Sequence, residues 1–179
     1  MEHDGSVDPC LIREELEIRE MTLDDLPPVY RLGELLFTAD RWPVLYRTWD
    51  EYDLAALFAA ESEQCFVADF RDQVIGFALG TFIEKRRSSW RYGYLLWLGT
   101  DPAYRGMGVA RKLLRRFTQH CVEEGARMML VDTAAENEDA IRFFRREGYG
   151  NDQEHVYLSK NLTNTAAYRR FRHEQRERD

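Results

Sequence analysis

Cysteine is scarce in this chain. The three residues, Cys10, Cys65 and Cys121, are scattered and odd in number. They exclude a disulfide framework and point to reduced thiols and a cytoplasmic home. The four histidines, His3, His120, His155 and His173, show no metal-ligand spacing, so no metal is expected. No apolar run reaches the length of a membrane span. The first nine residues are acidic and lack the basic-then-apolar order of a signal peptide, and no membrane partner is expected. Positive charge is short overall. A net charge of −7 argues against general nucleic-acid binding. Several catalytic signatures are missing too: no G-x-G-x-x-G, no Gly-Lys-Ser/Thr phosphate loop, no G-x-S-x-G elbow and no locally supported Cys/His pair. Neither internal repeats nor a low-complexity linker divides the chain.

What is present is enough apolar material for one core. The chain has 179 residues, 44% of them hydrophobic. Its charge is uneven. Residues 1–62 hold 15 acids against 5 bases, and residues 85–127 hold 10 bases against 3 acids. A solvated helix face explains most such basic runs; a polyanionic small molecule would also suit this one.

In chain order, residues 1–14 read as an irregular leader, and Leu16 to Arg19 alternates as a first strand. Thr22 with Asp25 is a capping signature before a helix carrying Val29, Leu32, Leu35 and Leu36. Thr48 to Glu51 repeats that signature before a second helix, Tyr52 to Ala60. Trp42, Tyr46 and Trp49 between the helices suit a core edge; lining an acceptor pocket is the other reading. Cys65–Phe70 and Val74–Ile83 form a hairpin, and Glu84 to Arg91 is a basic loop.

Tyr92 to Thr100 is an apolar and aromatic run, a buried strand stopped by Asp101-Pro102. Arg105-Gly106-Met107-Gly108-Val109-Ala110 turns into a helix with Ala110, Leu113, Leu114, Phe117 and Cys121 on one face. A strand running through a glycine turn into a helix N-terminus is a place to hold phosphate, since first-turn amides lack partners. Met128 to Asp132 reads as another strand. A helix follows from Glu136 or Asn137 with Gly148 beyond its end, and His155 to Leu158 reads as a last strand. Residues 163–179 form a charged tail with a helical pattern.

Alone, R-G-M-G-V-A is a weak signal. The run D-P-A-Y-R-G-M-G-V-A-R-K-L-L, however, resembles the acyl-CoA signature of the GNAT superfamily of N-acetyltransferases, with Arg105, Gly108 and Ala110 at its fixed positions. N-E-D-A-I-R-F-F-R-R-E-G-Y resembles its second signature, with Asn137, Ala140, Gly148 and Tyr149. V-Y-L-S-K-N-L resembles its final strand, and I-R-E-M-T-L-D-D-L its first strand and helix. The likeness covers roughly residues 16–162, taken as a single acyltransferase domain, 15–162.

The resemblance implies an α/β (α+β) fold in the order β-α-α-β-β-β-α-β-α-β, with a mixed, mostly antiparallel sheet and splayed middle strands ending near Thr100 and Asp132. It implies acetyl-CoA as co-substrate. The pyrophosphate would lie over Gly106, Met107, Gly108, Val109 and Ala110, and the pantetheine arm along Leu98 and Thr100. An amide at Leu98 or Gly99 would polarise the thioester. Asn137, Ala140 and Phe144 would complete the donor site. The implied acceptor is an amine on a small molecule, peptide or protein, and the implied assembly a monomer or homodimer. The acidic first half favours a cationic amine. The family often has a tyrosine, acting as an acid, where this chain has Phe144. That departure gives weight to a non-catalytic acyl-CoA-binding domain as the alternative; a different nucleotide-binding domain is a third reading. The general base stays open. Glu136 and Tyr94 are the named candidates, with Asp132 and Glu84 nearby, and for each a structural or solvated role is equally reasonable.

Overall fold

A computed structural model describes residues 9–37, 48–84, 90–153, 156, 158 and 160–176. They divide into two compact units, 1–134 and 135–179. The first holds helix α1 (Pro9–Glu15), strand β1 (Glu17–Glu20), helices α2 (Leu26–Leu36) and α3 (Glu51–Glu61), strands β2 (Cys65–Phe70), β3 (Gln73–Glu84) and β4 (Arg91–Thr100), helix α4 (Val109–Glu123) and strand β5 (Met128–Val131). The second holds helices α5 (Glu138–Arg146) and α6 (Ala166–Arg176).

The five strands form one sheet in sequence order. β1 to β4 pair antiparallel, and β4 pairs β5 in parallel. Alternation assigns the two faces. On one face lies α4. Side chains built at Gly76, Gly80 and Gly93 would strike Leu113, Phe117 and Cys121 of that helix, so glycine lets it sit close. On the other face α2 and α3 cover Phe77 and Leu79 with Val29, Leu32, Leu36 and Leu54. These are the apolar positions that the helical spacing predicts for α2, except Leu35, which is exposed.

β4 carries an irregularity that positions the site. Leu79 pairs with Trp97, but Gly80 pairs with Leu95, so Leu96 is an extra residue in a β-bulge. The bulge reverses the alternation. Gly93 and Leu95 face α4, whereas Trp97 and Gly99 face α2, where Gly99 meets Leu36 and Phe77.

Local chemistry explains the helix starts. Thr22 and Asp25 form the expected capping box. Asp25 also accepts from Arg19 at 2.7 and 2.8 Å, and Arg19 reaches Asp69 at 2.9 Å. The Arg19 guanidinium, with help from Thr22, holds the Asp25 carboxyl down at about 2 against the opposing effect of its burial. α3 is capped by Asp50, which accepts from the amides of Tyr52 and Asp53, rather than by Thr48.

Two expectations fail locally. Part of the stretch read as an irregular leader is helix α1, with Ile12 fully buried. The acidic surroundings of Leu11 and Ile12 hide a single-turn apolar contact from any periodicity count. For the last strand, His155 and Tyr157 lie outside the described residues, while Val156 and Leu158 are in no strand and are exposed. Trp42, Tyr46 and residues 85–89 of the basic loop also lie outside them. The tail is helical over α6.

Candidate functional site

Three features of the first unit converge on the C-terminal end of β4. The first is the glycine turn. After a short turn capped by Asp101, Gly106 and Gly108 adopt φ of 78° and 86°, the left-handed region that only glycine enters cheaply. Gly108 is the N-cap of α4, and no side chain caps the helix there. The first amide bonded back into the helix is that of Lys112, to the Gly108 carbonyl. Val109 and Ala110 thus present first-turn amides without an acceptor in the helix. A Cβ at Gly106 or Gly108 would meet nothing within 4 Å, so the backbone there is open to an approaching anion. Arg105 and Met107 flank the turn, Arg105 exposed and Met107 half-buried.

The second feature is the strand edge. Parallel pairing of β4 with β5 stops at Leu95 and Val131, yet β4 continues to Thr100. The Asp101 amide donates to the Ile75 carbonyl at 2.9 Å. Antiparallel alternation then bonds Gly99 to Phe77 and turns the backbone groups of Leu98 and Thr100 away from β3. Among the described residues no strand pairs with that edge. Of the two amides expected to face a thioester, Leu98 points to the edge and Gly99 into the sheet. The Thr100 hydroxyl is buried with no hydrogen-bond partner among the described residues. A strand edge with outward backbone groups beside an open amide cradle fits a ligand with both a phosphate and an amide-bearing arm.

The third feature lies on the α2/α3 face. A small open cleft, with about 20 Å³ of space, is lined by Thr48, Trp49, Asp50, Asp53, Leu79 and Trp97, among others. Trp49 lies across Gly33, where a side chain would collide at 2.0 Å, and donates to the Tyr30 carbonyl. Its ring packs on Phe37, Phe77 and Trp97, with centroids 5.6, 5.3 and 5.1 Å away. Trp49 is therefore a core-edge residue, and it also lines the cleft. Tyr94 is on this face as well, since its neighbour Gly93 faces α4 and its cross-strand partner Thr81 bonds Glu61 of α3. The Tyr94 hydroxyl donates to Asp132 Oδ1 at 2.6 Å.

A match to the GNAT acetyltransferase family model spans residues 34–149. The chain belongs to the GNAT family. It is 25% identical over 155 residues to an acetyltransferase of Sodalis glossinidius, covering 86% of this chain and the whole of that one. It is 26% identical over 141 residues to an uncharacterised N-acetyltransferase of Methanocaldococcus jannaschii, covering 74% of this chain and 59% of that one. Among solved structures it resembles an aminoglycoside acetyltransferase from an uncultured soil metagenomic sample, in complex with trehalose. The TM-score is 0.66 and identity 21%, over 84% of this chain and 99% of that one. It also resembles AAC(6')-Iy in complex with a CoA-containing bisubstrate analogue, at a TM-score of 0.65 and 22% identity, over 82% of this chain and 98% of that one. The mixed, mostly antiparallel sheet flanked by helices is the architecture of this GNAT chain and of those neighbours.

In the second unit Asn137 is the N-cap of α5 and accepts from the Ala140 amide at 3.2 Å. Both are half-buried. Phe144 is buried and meets Phe143 and Tyr149 edge-on. Glu136 is exposed in the turn before α5. Glu84 is paired with Arg91 at 2.9 Å. Among the described residues there is no cluster of three or more His, Cys, Asp or Glu suited to a metal. No helix among them is long and apolar enough to cross a membrane. Cys65 and Cys121 are buried, and burial pushes both thiols up to about 12, which makes them poor nucleophiles.

Two things escaped the sequence reading. It named Tyr94 and Asp132 singly, and 38 residues of chain hide their contact, which only the β4/β5 register reveals. The Leu96 bulge leaves no signal either, because leucine is an ordinary strand residue.

Proposed function

We propose that this GNAT chain transfers an acetyl group directly from acetyl-CoA to a primary amine. The observation that carries the reading is the open amide cradle at Gly106 to Ala110 beside the unused edge at Leu98 and Thr100. The cradle suits a diphosphate by backbone approach and helix-end dipole, with Arg105 and Met107 flanking it. The edge suits the amide-bearing pantetheine arm through the outward backbone groups of Leu98 and Thr100. The Leu98 amide is the donor that would polarise the thioester carbonyl, raising its susceptibility to attack. Asn137, Ala140 and Phe144 are carried over to the donor site on their motif positions alone. Acetyl-CoA supplies an activated acyl group on a good leaving group; the protein supplies orientation and a place for the amine to lose its proton.

The acceptor is a cationic amine on a small molecule, peptide or protein. Trp49, Trp97, Asp50 and Asp53 around one cleft support this, since aromatic faces and carboxylates both favour ammonium groups. The solved neighbours, an aminoglycoside acetyltransferase and a complex with a CoA-containing bisubstrate analogue, support the same pairing of donor and acceptor. The scattered free thiols suit a cytoplasmic setting, and a monomer or homodimer suffices.

Thermal unfolding with acetyl-CoA tests the reading. At ligand about a hundredfold above Kd, stability rises by roughly 2.7 kcal/mol. Thiol release then follows with an amine panel. No shift with acetyl-CoA alongside a clear shift with ATP or NAD contradicts the reading. A shift without thiol release across a broad panel favours the non-catalytic binder, the reading to which Phe144 gives weight.

A further inference from the structure

We infer that Tyr94 and Asp132 are the proton-accepting pair of this transfer, with Tyr94 the catalytic residue beside the amine and Asp132 the positioning residue behind it. The inference rests on the acetyl-transfer reading above. Tyr94 stands on β4 opposite Leu130, one residue before β4 and β5 stop pairing, and Asp132 is the residue after β5. The two strands thus deliver a hydroxyl and a carboxylate to the fork. The 2.6 Å separation falls in the range of a charge-assisted O–H···O⁻ bond. Both residues are half-buried, so the pair is partly screened from water yet reachable.

Its placement separates it from an ordinary structural bond. Tyr94 shares its sheet face with Trp97 of the acid-lined cleft, and the bulge between them leads directly to the Leu98 edge. The pair therefore stands on the cleft's face of the sheet, where β4 and β5 stop pairing and the Leu98 edge opens. Glu61, on that face, is committed to the Thr81 hydroxyl, and the Asp50 carboxylate to the first amides of α3.

The step balances as follows. The neutral amine attacks the thioester carbonyl carbon, forming the C–N bond. The C–S bond breaks, and its electron pair leaves with the thiolate. The amine's N–H proton passes to the Tyr94 oxygen while the Tyr94 proton passes to Asp132 Oδ1. Asp132 then releases that proton to the thiolate or to water. Asp132 also fixes the direction of the Tyr94 hydroxyl before the amine arrives.

The test follows thiol release from acetyl-CoA with spermidine, sisomicin and a lysine-containing peptide, in the wild type, Tyr94→Phe, Asp132→Asn and Asp132→Glu. Tyr94→Phe is expected to lower kcat about a hundredfold or more, within the usual range for losing a general acid–base group. KM for acetyl-CoA and the acetyl-CoA thermal shift stay unchanged. Asp132→Asn lowers kcat about tenfold, taking tenfold as the low end for a residue acting through another, and reduces the solvent deuterium isotope effect. Asp132→Glu restores part of both. Wild-type turnover in Tyr94→Phe overturns the inference and leaves the acetyl-transfer reading standing. Loss of acetyl-CoA binding in Tyr94→Phe also overturns it, by assigning the pair a structural role. A wild type that binds no acetyl-CoA overturns the reading and the inference together.

Discussion

The glycine turn and the aromatic cleft meet the same strand and are built of different material. The turn is backbone: positive φ at Gly106 and Gly108, amides of the first turn of α4, and the edge groups of Leu98 and Thr100. The cleft is side chain: Trp49 and Trp97 in edge contact, with Asp50 and Asp53 at the rim. A backbone site needs particular residues at fixed spacing, because only glycine tolerates those angles and that approach. A side-chain site needs only that distant residues meet. The first is therefore general and the second individual, which is what the proposed reading asks of a donor site and an acceptor site.

If the two regions are independent, each can be damaged without the other. Trp49→Ala carries the largest expected stability effect. It removes ring contacts to Phe37, Phe77 and Trp97 and leaves a hole over Gly33. A loss of about 3 kcal/mol is expected by denaturant unfolding, toward the low end for a Trp→Ala change because the ring is only half-buried. Acetyl-CoA affinity should hold within about twofold, since 1.4 kcal/mol would already be tenfold. A fall in affinity as large as the fall in stability would show that the cleft and the turn are one structure.

A smaller effect lies away from both regions. Asp25→Ala removes the bonds from Arg19 and Thr22 and should cost about 2 kcal/mol. Its pH dependence has a definite sign. The folded carboxyl is held at about 2, below its ordinary value near 4, so its stabilisation is present above that ordinary value. It fades as pH falls from about 4 toward 2. Unfolding curves of the wild type and Asp25→Ala should therefore converge over that window. Curves that stay parallel through it would remove Arg19 from the account.

The same contrast explains how much could be read in the sequence. α4 was legible, since Leu113, Leu114, Phe117 and Cys121 recur at helical spacing and all are buried. The hairpin of β2 and β3 was legible from its β-branched and aromatic runs around Arg71 and Asp72, both at positive φ. Helix α1 was not, because one buried residue, Ile12, is no pattern. The cap of α3 was displaced from Thr48 to Asp50, since both residue types cap and spacing alone does not choose. The positive-φ turn before α4, proposed to hold the donor, was written in Gly106 and Gly108. The Tyr94–Asp132 contact depends on a parallel register between strands that are distant in the chain, and the reversal at Leu96 depends on an extra residue without chemical mark.

The most direct test of the central claim, that the turn at Gly106 to Ala110 holds acetyl-CoA, is a calorimetric titration of acetyl-CoA into the wild type and Gly108→Trp. At φ 86° a side chain costs about 1–2 kcal/mol of stability, so the variant should still fold. The indole would enter the space that is open above the turn. Saturable binding to the wild type, weakened a hundredfold or more in the folded variant, is the expected result; a hundredfold corresponds to about 2.7 kcal/mol. Equal affinity in the two proteins would contradict the claim.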